Sequence, residues 1–315
     1  MLQSPTYLRT FGPIGDRVAT LGWILLIISS IVVLVVSVLV LAGVLRRGTR
    51  AFGPVERAGG GVRWIVVGGI VVPTLILVAV FVFTVLTQAA VAAPAAAPEL
   101  TIRVRGHQWW WEVQYLDPSS DRPATTANEI HIPVGRPVRL EIVAGDVIHS
   151  FWVPELAGKT DLIPGQTNVT WIQADQPGVY RGQCAEYCGM QHSKMAMSVV
   201  AESPARFDRW LERQRQPAAS PTNADLVAGE AVFAGSACAQ CHTIRGTPAR
   251  GRLGPDLTHL ADRRTIAAGT LPNTRGYLAG WIANPQALKP GNLMPAVPLK
   301  ATELQVLITY LQSLN

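Results

Sequence analysis

The amino-acid sequence predicts a multi-domain protein with three parts: a two-helix transmembrane hairpin, a β-sandwich module and a small all-α module. Three observations support this prediction. Two long uncharged apolar stretches lie in the N-terminal third, short segments of alternating polarity follow them, and the C-terminal third has a helical pattern. At 315 residues the chain is long enough for two or three domains.

The two apolar stretches are each long enough to cross a bilayer as a helix. No charged residue lies within 18–45 or within 64–91, and a transmembrane helix needs about 20 apolar residues. We therefore expect helices at about 18–45 and 64–91, within an N-terminal part that covers residues 1–98. A cleaved signal peptide is the alternative for the first stretch, but the apolar run is longer than a signal sequence requires.

The loop between the two stretches predicts how the chain crosses the membrane. It holds five arginines and one acidic residue, whereas residues 1–17 hold two arginines. The loop arginines are Arg46, Arg47, Arg50, Arg57 and Arg63. Because cytoplasmic loops are enriched in basic residues, we expect this loop in the cytoplasm. Both termini, and everything after the second helix, would then lie outside.

Residues 99–202 are predicted to form an antiparallel sandwich or barrel, here called the β module. About eight short segments of alternating polarity are separated by Gly, Pro, Asp and Asn turns, which is typical of such folds. The predicted strands lie within 100–106, 109–115, 128–135, 137–145, 147–154, 168–175, 178–184 and 195–202.

The remainder of the chain is predicted to be helical. Residues 203–223 read as a helix with Ser203 as N-cap and Pro204 as its first residue, followed by a flexible linker. The C-terminal module, residues 224–315, carries helical patterns at 225–237, at 274–285 with Pro285 as the stop, and at 302–314. Thr302 and Gln305 are predicted to form a capping box that opens the last helix.

The distribution of charge excludes a nucleic-acid binder and suggests how the modules meet. The net charge of +6 arises mainly from the membrane part, and the basic residues are not concentrated on one predicted element. The β module has 8 basic and 12 acidic residues, and residues 221–315 have 8 basic and 5 acidic. We expect the two modules to dock through these complementary potentials. Any exchange between them that requires this docked state should then become slower as the salt concentration increases.

The segment GQCAEYCGMQHSKM, residues 182–195, groups thiol, imidazole and thioether side chains. Cys184, Cys188, His192 and Met195 are the ligand types that suit copper, and two thiolates can bridge two copper ions. A disulfide between the cysteines would leave the histidine and methionine unexplained. Zinc usually occurs with other spacings and gains little from a methionine.

A second histidine is needed to complete such a copper pair. The β module offers His107, His131 and His149. His149 is the best candidate, because it lies at a predicted strand edge beside the polar residues Asp146 and Ser150. His131 is equally well explained as a half-buried strand residue.

The segment CAQCH, residues 238–242, is the attachment signature of a c-type haem. Cys238 and Cys241 would form thioethers to the porphyrin, and His242 would be the proximal iron ligand. A thioredoxin-like redox pair is the alternative, but it requires a βαβ context, and the flanking sequence here is helical. For the sixth ligand, residues 221–315 offer one methionine, Met294, and one further histidine, His259. Methionine–histidine ligation gives a higher reduction potential than ligation by two histidines.

Residues 20–202 resemble subunit 2 of the haem–copper cytochrome c oxidases. The resemblance rests on GHQWWWEVQY, on HSFWVPELAGKTDLIPGQTN and on the pattern C-x-E-x-C-x-x-x-H-x-x-M in CAEYCGMQHSKM. It implies a cupredoxin-like sandwich that holds the dinuclear copper centre called CuA. The implied side-chain ligands are His149, Cys184, Cys188, His192 and Met195. Glu186 is implied to bind copper through its backbone carbonyl, and its side chain to help hold Mg²⁺ at the contact with subunit 1.

The resemblance also assigns roles to neighbouring residues. Met190 and Met197 compete with Met195 as the axial ligand, but only Met195 has the spacing of the family. Trp109 is implied to be the residue through which electrons enter. Trp110 and Trp111 are equally well read as anchors at the membrane interface. Many family members have an acidic residue seven positions before the proline of the second helix, where this chain has Val66.

Residues 224–315 resemble the small class I cytochromes c, which favours Met294 as the sixth ligand. Together the two resemblances imply subunit 2 of a bacterial cytochrome c oxidase that carries its own haem c in the inner membrane. Electrons would pass from haem c to the copper pair, and on to haem a and the oxygen site of subunit 1, where O₂ is reduced to water with proton translocation. The implied partners are subunits 1 and 3 and a cytochrome c or bc-type complex as donor.

Two other functions remain open on the sequence alone. One is the copper-bearing subunit of a membrane nitric oxide reductase, and the other is a stand-alone electron shuttle or copper-delivery protein. A quinol oxidase subunit is disfavoured, because those subunits lack the copper ligands present here.

Overall fold

The computed structural model describes residues 6–47, 60–116 and 123–315. Of the predicted loop residues, Arg50, Glu56 and Arg57 lie outside the described residues. The residues up to Gly15 and from Pro94 onward form one compact unit, and Asp16–Ala93 form a second.

The second unit consists of the two predicted apolar helices, and both are confirmed. Helix α1 covers Pro13–Arg47, α2 covers Gly60–Val66 and α3 covers Val72–Val91. A π-helical turn, Val67–Val71, joins α2 to α3, and the second residue of α3 is Pro73, whose nitrogen has no hydrogen to donate. The spans Pro13–Arg46 and Gly61–Val91 are long and apolar enough to cross a membrane.

The described residues of the β module, 99–116 and 123–202, form ten strands in two main sheets and a short ribbon. The strands are β1 Leu100–His107, β2 Trp110–Leu116, β3 Ala124–Ala127, β4 Glu129–Pro133, β5 Val138–Ala144, β6 His149–Phe151, β7 Thr160–Leu162, β8 Thr167–Ile172, β9 Gly178–Gln183 and β10 Ala196–Glu202. The five-stranded sheet has the order β3-β2-β1-β5-β8, the three-stranded sheet has the order β4-β10-β9, and β6 pairs with β7. The predicted β-sandwich class is therefore confirmed.

Two details of the predicted sandwich are wrong. The sheets are mixed rather than antiparallel, because β1 pairs in parallel with β5, and β4 in parallel with β10. Strands β3 and β7 were not predicted, since each has only three or four residues and too few apolar positions to show an alternating pattern.

The core of the sandwich is formed by the inward-facing residues of both sheets. Ile102, Val104 and Leu140 of the larger sheet and Ile130 and Val199 of the smaller sheet are fully buried. Successive strand residues point to opposite faces, so in β1, β2 and β5 burial alternates along the strand. In the smaller sheet both faces are covered, and Ala196–Ala201 of β10 are all buried. Each such side chain contributes about 1.5–3 kcal/mol by leaving water.

A helix closes one end of the β module. Helix α4, Pro204–Arg215, begins after Ser203 as predicted. Its buried Trp210 stacks on His131 with ring centroids 4.0 Å apart and lies against Tyr115 at 5.2 Å. His131 is thus explained as a structural strand residue.

The C-terminal module is helical, as predicted. Its helices are α5 Ala224–Gly235, α6 Cys238–Cys241, α7 Arg275–Ala283, α8 Pro285–Leu288 and α9 Ala301–Leu311, and its short strands are β11 Thr265–Ile266 and β12 Leu271–Pro272. Gly229 lets α5 approach α9 closely, because a Cβ there would lie 2.3 Å from the carbonyl oxygen of Val306. The predicted capping box of Thr302 and Gln305 is wrong. The last helix begins earlier, and Glu303 accepts the backbone N–H of Lys300 at 2.7 Å.

His131 and Glu202 form a mostly buried pair, and folding changes the pKa values of both groups. Nδ1 of His131 lies 2.7 Å from Glu202 Oε1, and Nε2 lies 3.9 Å from Glu129 Oε2. Burial alone would lower the pKa of His131, but the hydrogen bonds and charges of Glu129 and Glu202 outweigh it and raise the pKa. The hydrogen bond from His131 lowers the pKa of Glu202.

We expect Glu202→Gln to destabilise the β module by about 1.5 kcal/mol at pH 6, because a charged hydrogen bond is lost. The His131 contribution is fully present below its unfolded pKa of about 6.5 and is lost as pH rises through the raised folded value. The Glu202 contribution is present above about pH 4.3 and is lost as pH falls through the lowered folded value. Thermal unfolding at pH 6 and pH 9 should therefore show a larger effect at pH 6. The exposed Glu212→Gln on α4 is the control, and an equal effect of Glu202→Gln at both pH values would contradict the pairing.

Candidate metal and haem sites

The predicted copper ligands meet at one end of the β module. Cys184 directly follows β9, His149 begins β6, and Met195 directly precedes β10, while Cys188 and His192 lie on the loop that joins β9 to β10. Four of the five sulfur and imidazole donors lie on this single connection between β9 and β10. The fold must therefore supply only His149 from a distant part of the chain.

The donor atoms form an extended chain rather than a ring around one point. The two cysteine sulfurs are 3.8 Å apart. Nδ1 of His149 lies 3.9 Å from the sulfur of Cys184, and Nδ1 of His192 lies 3.7 Å from the sulfur of Cys188. Each thiol thus has a histidine of its own.

This arrangement fits two metal ions better than one. Among the described residues, the group with all ligand atoms within 4.8 Å of one another is His149, Cys184 and Cys188, without His192. A single tetrahedral zinc ion would need four donors around one centre. The cysteines are free, so a disulfide is not present. The donor set present here, with two shared sulfurs and one imidazole at each end, fits a copper pair.

The three methionines considered as the axial ligand have different environments in the structure. Met195 is fully buried, and its sulfur lies 3.8 Å from that of Cys188. Met190 is exposed and touches Gly291 of the C-terminal module, and Met197 packs against Gly182. Of the three, Met195 is the one at the sulfur cluster.

His149 is oriented by a neighbour that the sequence analysis did not identify as functional. Asp146 Oδ1 lies 2.8 Å from Nε2 of His149, which turns Nδ1 toward Cys184. Burial alone would lower the pKa of His149, but the hydrogen bonds to Cys184 and Asp146 raise it. A Cβ on Gly106 would lie 2.8 Å from the His149 ring, so this position on β1 must be glycine.

The two thiols differ in their tendency to ionise. Hydrogen bonds from Cys188 and His149 and from the backbone lower the pKa of Cys184 despite its burial. The pKa of Cys188 is raised, because a second thiolate would stand beside the first and in a buried position. A cation between the sulfurs would remove this repulsion.

Glu186 presents its two functional groups in different directions. Its carbonyl oxygen lies 3.3 Å from the sulfur of Cys184, while its half-exposed carboxylate accepts a hydrogen bond from Lys159 at 3.2 Å. The carbonyl is thus part of the donor cluster. The carboxylate already has a cationic partner.

The three successive tryptophans have three different environments. Trp109 is half-buried and donates its indole N–H to the carbonyl of Cys188 at 2.9 Å. Trp110 stacks on His107 with centroids 4.5 Å apart. Trp111 is fully buried beside His149, so its interpretation as an anchor at the membrane interface is wrong. It lies on the inward face of β2, between the half-buried Trp110 and Glu112.

Gln108 is a further site residue that the sequence analysis missed. Its side-chain amide donates to the same carbonyl of Cys188 at 2.8 Å, and its backbone N–H donates to Asp146 at 2.6 Å. Its position next to Trp109 within the family-like segment was the available signal.

The CAQCH segment lines a cavity of about 380 Å³ in the C-terminal module. Cys238 and Cys241 lie on α6 and, with His242, face this cavity. Nδ1 of His242 donates to the carbonyl of Pro255 at 2.8 Å, which leaves Nε2 available to a metal. Burial lowers the pKa of His242 and favours the neutral, ligating form. A Cβ on Gly254 would lie 2.5 Å from this ring.

The cavity also contains Met294 and excludes the competing histidine. Met294 is part of the lining, whereas His259 is not, and Nε2 of His259 lies 3.1 Å from the carbonyl of Gln216. Arg263 and Thr265 line the cavity, and each has a buried polar atom without a hydrogen-bond partner among the described residues. The apolar walls of the cavity fit the haem ring, and the unpaired polar atoms of Arg263 and Thr265 fit its acidic groups.

One wall of the cavity comes from the β module. Gln108, Trp109, Trp110 and Asn128 are among the lining residues. Trp109 thus lies on the cavity wall and also donates a hydrogen bond to the backbone carbonyl of the candidate copper ligand Cys188.

Comparisons with known proteins agree with both modules. The family model described as cytochrome c oxidase subunit II, periplasmic domain, matches residues 116–203, and the model described as cytochrome c matches residues 226–315. Cytochrome c oxidase subunit 2 of Alkalihalophilus pseudofirmus is 39% identical over 251 residues, which cover 78% of this chain and 71% of that protein. Cytochrome c oxidase subunit 2 of Bacillus sp. PS3 is 34% identical over 265 residues, with 78% and 72% covered.

A solved structure has a more limited likeness. The periplasmic domain of subunit II of cytochrome oxidase from Bradyrhizobium japonicum is 30% identical, with a TM-score of 0.36, and the match covers 38% of this chain and 96% of that one.

We expect Met195→Leu to retain copper but to change the visible and electron paramagnetic resonance spectra of the copper-loaded chain. A methionine-to-leucine change nearly conserves volume and costs less than about 1.5 kcal/mol, so the fold is kept while one sulfur donor is lost. The buried Met197→Leu is the matched control and should leave both spectra unchanged. Unaltered spectra in Met195→Leu would refute its assignment as a ligand.

For the haem, we expect Met294→Ala to remove the methionine-to-iron absorption band and to lower the reduction potential, because loss of a methionine ligand favours the oxidised iron. His259→Gln is the control and should retain the band. If the unaltered chain lacks the band, and His259→Gln rather than Met294→Ala changes the haem spectrum, His259 takes the place of Met294.

Proposed function

Because the chain belongs to the cytochrome c oxidase subunit 2 family, we propose that it takes up electrons at its own C-terminal module and passes them through the β module to subunit 1, the site of O₂ reduction. It is a subunit of a haem–copper oxidase, and the oxygen-reducing site lies in another chain. Its two apolar helices and its family make it a membrane protein with a periplasmic domain.

One observation carries this proposal. The indole of Trp109 lines the cavity that contains CAQCH and Met294, and it donates a hydrogen bond to the carbonyl of Cys188. One aromatic side chain therefore connects the proposed haem site with the proposed copper site. Such proximity favours electron transfer within the chain.

The proposed copper ligands are the residues that meet around the two thiols. The side chains of His149, Cys184, Cys188, His192 and Met195 and the carbonyl of Glu186 would hold CuA. For haem c we propose thioether bonds from Cys238 and Cys241, with His242 and Met294 as the axial ligands. When bound, these two groups supply one-electron carriers.

The residues of the chain position these groups and limit access of water. Asp146 fixes the ring of His149, and the carbonyl of Pro255 fixes the ring of His242. The burial of Cys184, Cys188 and Met195 keeps the sulfur donors away from solvent. Fixed donors need little rearrangement when an electron arrives, which lowers the barrier to transfer.

The remaining parts of the proposal concern partners. We propose contacts with subunits 1 and 3, a cytochrome c or bc-type complex as donor, and both termini on the outer side of the bacterial inner membrane. Proton translocation would take place in subunit 1, since Val66 occupies the position where many family members have an acid. A Mg²⁺ ion at the contact with subunit 1 would have to displace Lys159 from Glu186.

Isolation of the native complex through a tag on this chain tests the proposal. We expect a polytopic partner, two copper ions and one covalent haem c in this subunit, and O₂ consumption with a small reductant. Consumption of nitric oxide instead of O₂ would indicate the reductase, and purification without a polytopic partner would indicate a shuttle.

Within that complex, we expect Trp109→Leu to slow O₂ consumption while haem c accumulates in the reduced state. The effect should be roughly ten- to hundredfold, the size produced by small misplacements of reacting groups. Trp109→Phe keeps an aromatic ring without the indole N–H and should be intermediate. Equal turnover in all three proteins would remove Trp109 from the electron route.

A further inference from the structure

Four charged side chains bind the backbone across the boundary between the β module and the C-terminal module, and two of them, Glu129 and Lys289, are almost fully buried. The other two, Lys194 and Arg181, are partly exposed and donate to the carbonyls of Leu288 at 3.2 Å and Gly269 at 3.5 Å. Glu129 and Lys289 are 2% and 3% exposed. No ion pair joins residues of 99–202 to residues of 224–315 in the described part of the chain. Across the boundary the partners of both charges are therefore backbone groups, and within the β module Glu129 also lies 3.9 Å from Nε2 of His131.

Glu129, on β4, binds the C-terminal module. Its Oε1 accepts the backbone N–H of Arg264 at 2.7 Å and that of Thr265 at 3.2 Å. Two amide donors to one buried carboxylate oxygen make a charge-assisted contact.

Lys289, in the loop after α8, binds in the opposite direction. Its ammonium donates to the carbonyl of Lys194 in the β module at 2.9 Å and to the carbonyl of Ala267 in its own module at 3.0 Å. Burial lowers the pKa of Lys289 to about 8, and the charge of Lys194 adds to the effect. This lysine is thus kept in an environment that disfavours its charge, where the two carbonyls provide compensation.

One segment of the C-terminal module contacts both of these charged side chains and is hydrogen-bonded to the β module along its length. We call residues 264–270 the docking segment. The backbone N–H of Ala196 donates to the carbonyl of Ala268 at 3.0 Å, and the hydroxyl of Thr270 donates to the carbonyl of Lys194 at 3.3 Å. Ala267 and Ala268 both have φ of 54°, a left-handed conformation that alanine disfavours. The contacts compensate for this conformation, which a free segment would not retain.

The same lysine connects the loops of the two proposed redox sites. Lys194, its partner, lies between His192 and Met195. On the other side, the carbonyl of Lys289 accepts the side-chain amide of Asn292 at 2.7 Å, and Asn292 Oδ1 accepts the N–H of Met294 at 2.9 Å. Gln191 also donates to the carbonyl of Pro290.

We propose that Glu129 and Lys289 form a reciprocal clamp that holds the C-terminal module on the β module in one orientation. This inference rests on the proposed function, because it makes both residues positioning residues for electron transfer between the two redox sites. Neither is among the proposed metal ligands, although Lys289 lines the cavity proposed to hold the haem. They act by fixing the loop of Met294 against the loop of His192 and Met195.

The clamp offers an alternative to docking through the net charges of the modules. Attraction between exposed charges is screened as salt increases, whereas buried contacts are screened much less. A clamped interface should therefore resist salt, and an interface held by net charge should open.

Amide hydrogen exchange of the full-length chain, loaded with copper and haem in detergent, tests the clamp. We expect the amides of the docking segment and of Ala196 to exchange slowly, with rates that do not change between about 0.05 M and about 0.5 M NaCl. In Lys289→Leu the same amides should exchange roughly tenfold faster or more, as expected when a buried charged donor is lost. Reduction of the copper pair by haem c should slow in parallel.

Matched variants separate the clamp from general damage. Lys300→Leu makes the same change at an exposed lysine of the same module and should leave exchange unchanged. Glu129→Gln keeps an acceptor oxygen without the charge, so the exchange rates of the same amides should increase by an intermediate amount. This variant also tests the clamp if Lys289→Leu fails to bind haem.

Two results would overturn the clamp. One is exchange in Lys289→Leu and Glu129→Gln within about twofold of the original chain, since loss of a charged hydrogen bond should exceed that. The other is exchange in the original chain that accelerates with salt. Failure of the proposed function would show differently, as absent copper or haem spectra in the unaltered chain.

Discussion

The carbonyl oxygen of Cys188 is the point on which both candidate sites depend. It accepts the side-chain amide of Gln108 at 2.8 Å and the indole N–H of Trp109 at 2.9 Å, while the sulfur of the same residue lies 3.8 Å from that of Cys184. Asp146 adds a second connection, because it binds both the backbone of Gln108 and the ring of His149. A shift of this loop would therefore move the thiol cluster and the wall of the cavity together, so the two sites form one mechanical unit.

The interface between the modules uses buried charge for orientation. Removal of a charge from water is unfavourable unless hydrogen bonds replace the lost hydration. Glu129 and Lys289 meet this condition with two backbone amides and two backbone carbonyls. In any other orientation both side chains would lose these partners and keep the cost of burial. These buried charges therefore favour one orientation of the two modules more than they strengthen the contact between them. Exposed ion pairs differ in this respect, because they tolerate many geometries.

The sequence predicts those features whose residues are close together in the chain. The C-x-x-x-C loop with His192 and Met195, the CAQCH segment and the apolar helices depend on short spacings, and the structure has all of them. His149 was selected from three histidines by its polar neighbours and by the resemblance, since its partner Cys184 is far away in sequence. Strands β3 and β7 are too short for a pattern, and the last helix begins at Ala301 because Glu303 caps it. Glu129 and Lys289 could not be predicted, because their partners are backbone groups, which carry no signature in sequence.

The covalent link between the modules explains why so polar an interface can hold. Two separate proteins lose translational and rotational freedom when they associate, whereas a tethered module has an effective concentration in the millimolar range for a short linker. Much of that cost is therefore removed here, and a few satisfied contacts are enough to keep the modules together. The linker is itself attached, since Ala218 donates its N–H to the carbonyl of Arg245 at 2.9 Å and Arg245 donates to the carbonyl of Gln214 at 2.7 Å. With association supplied by the chain, the contact surface is left to set geometry, which is the property that transfer between two fixed redox sites requires.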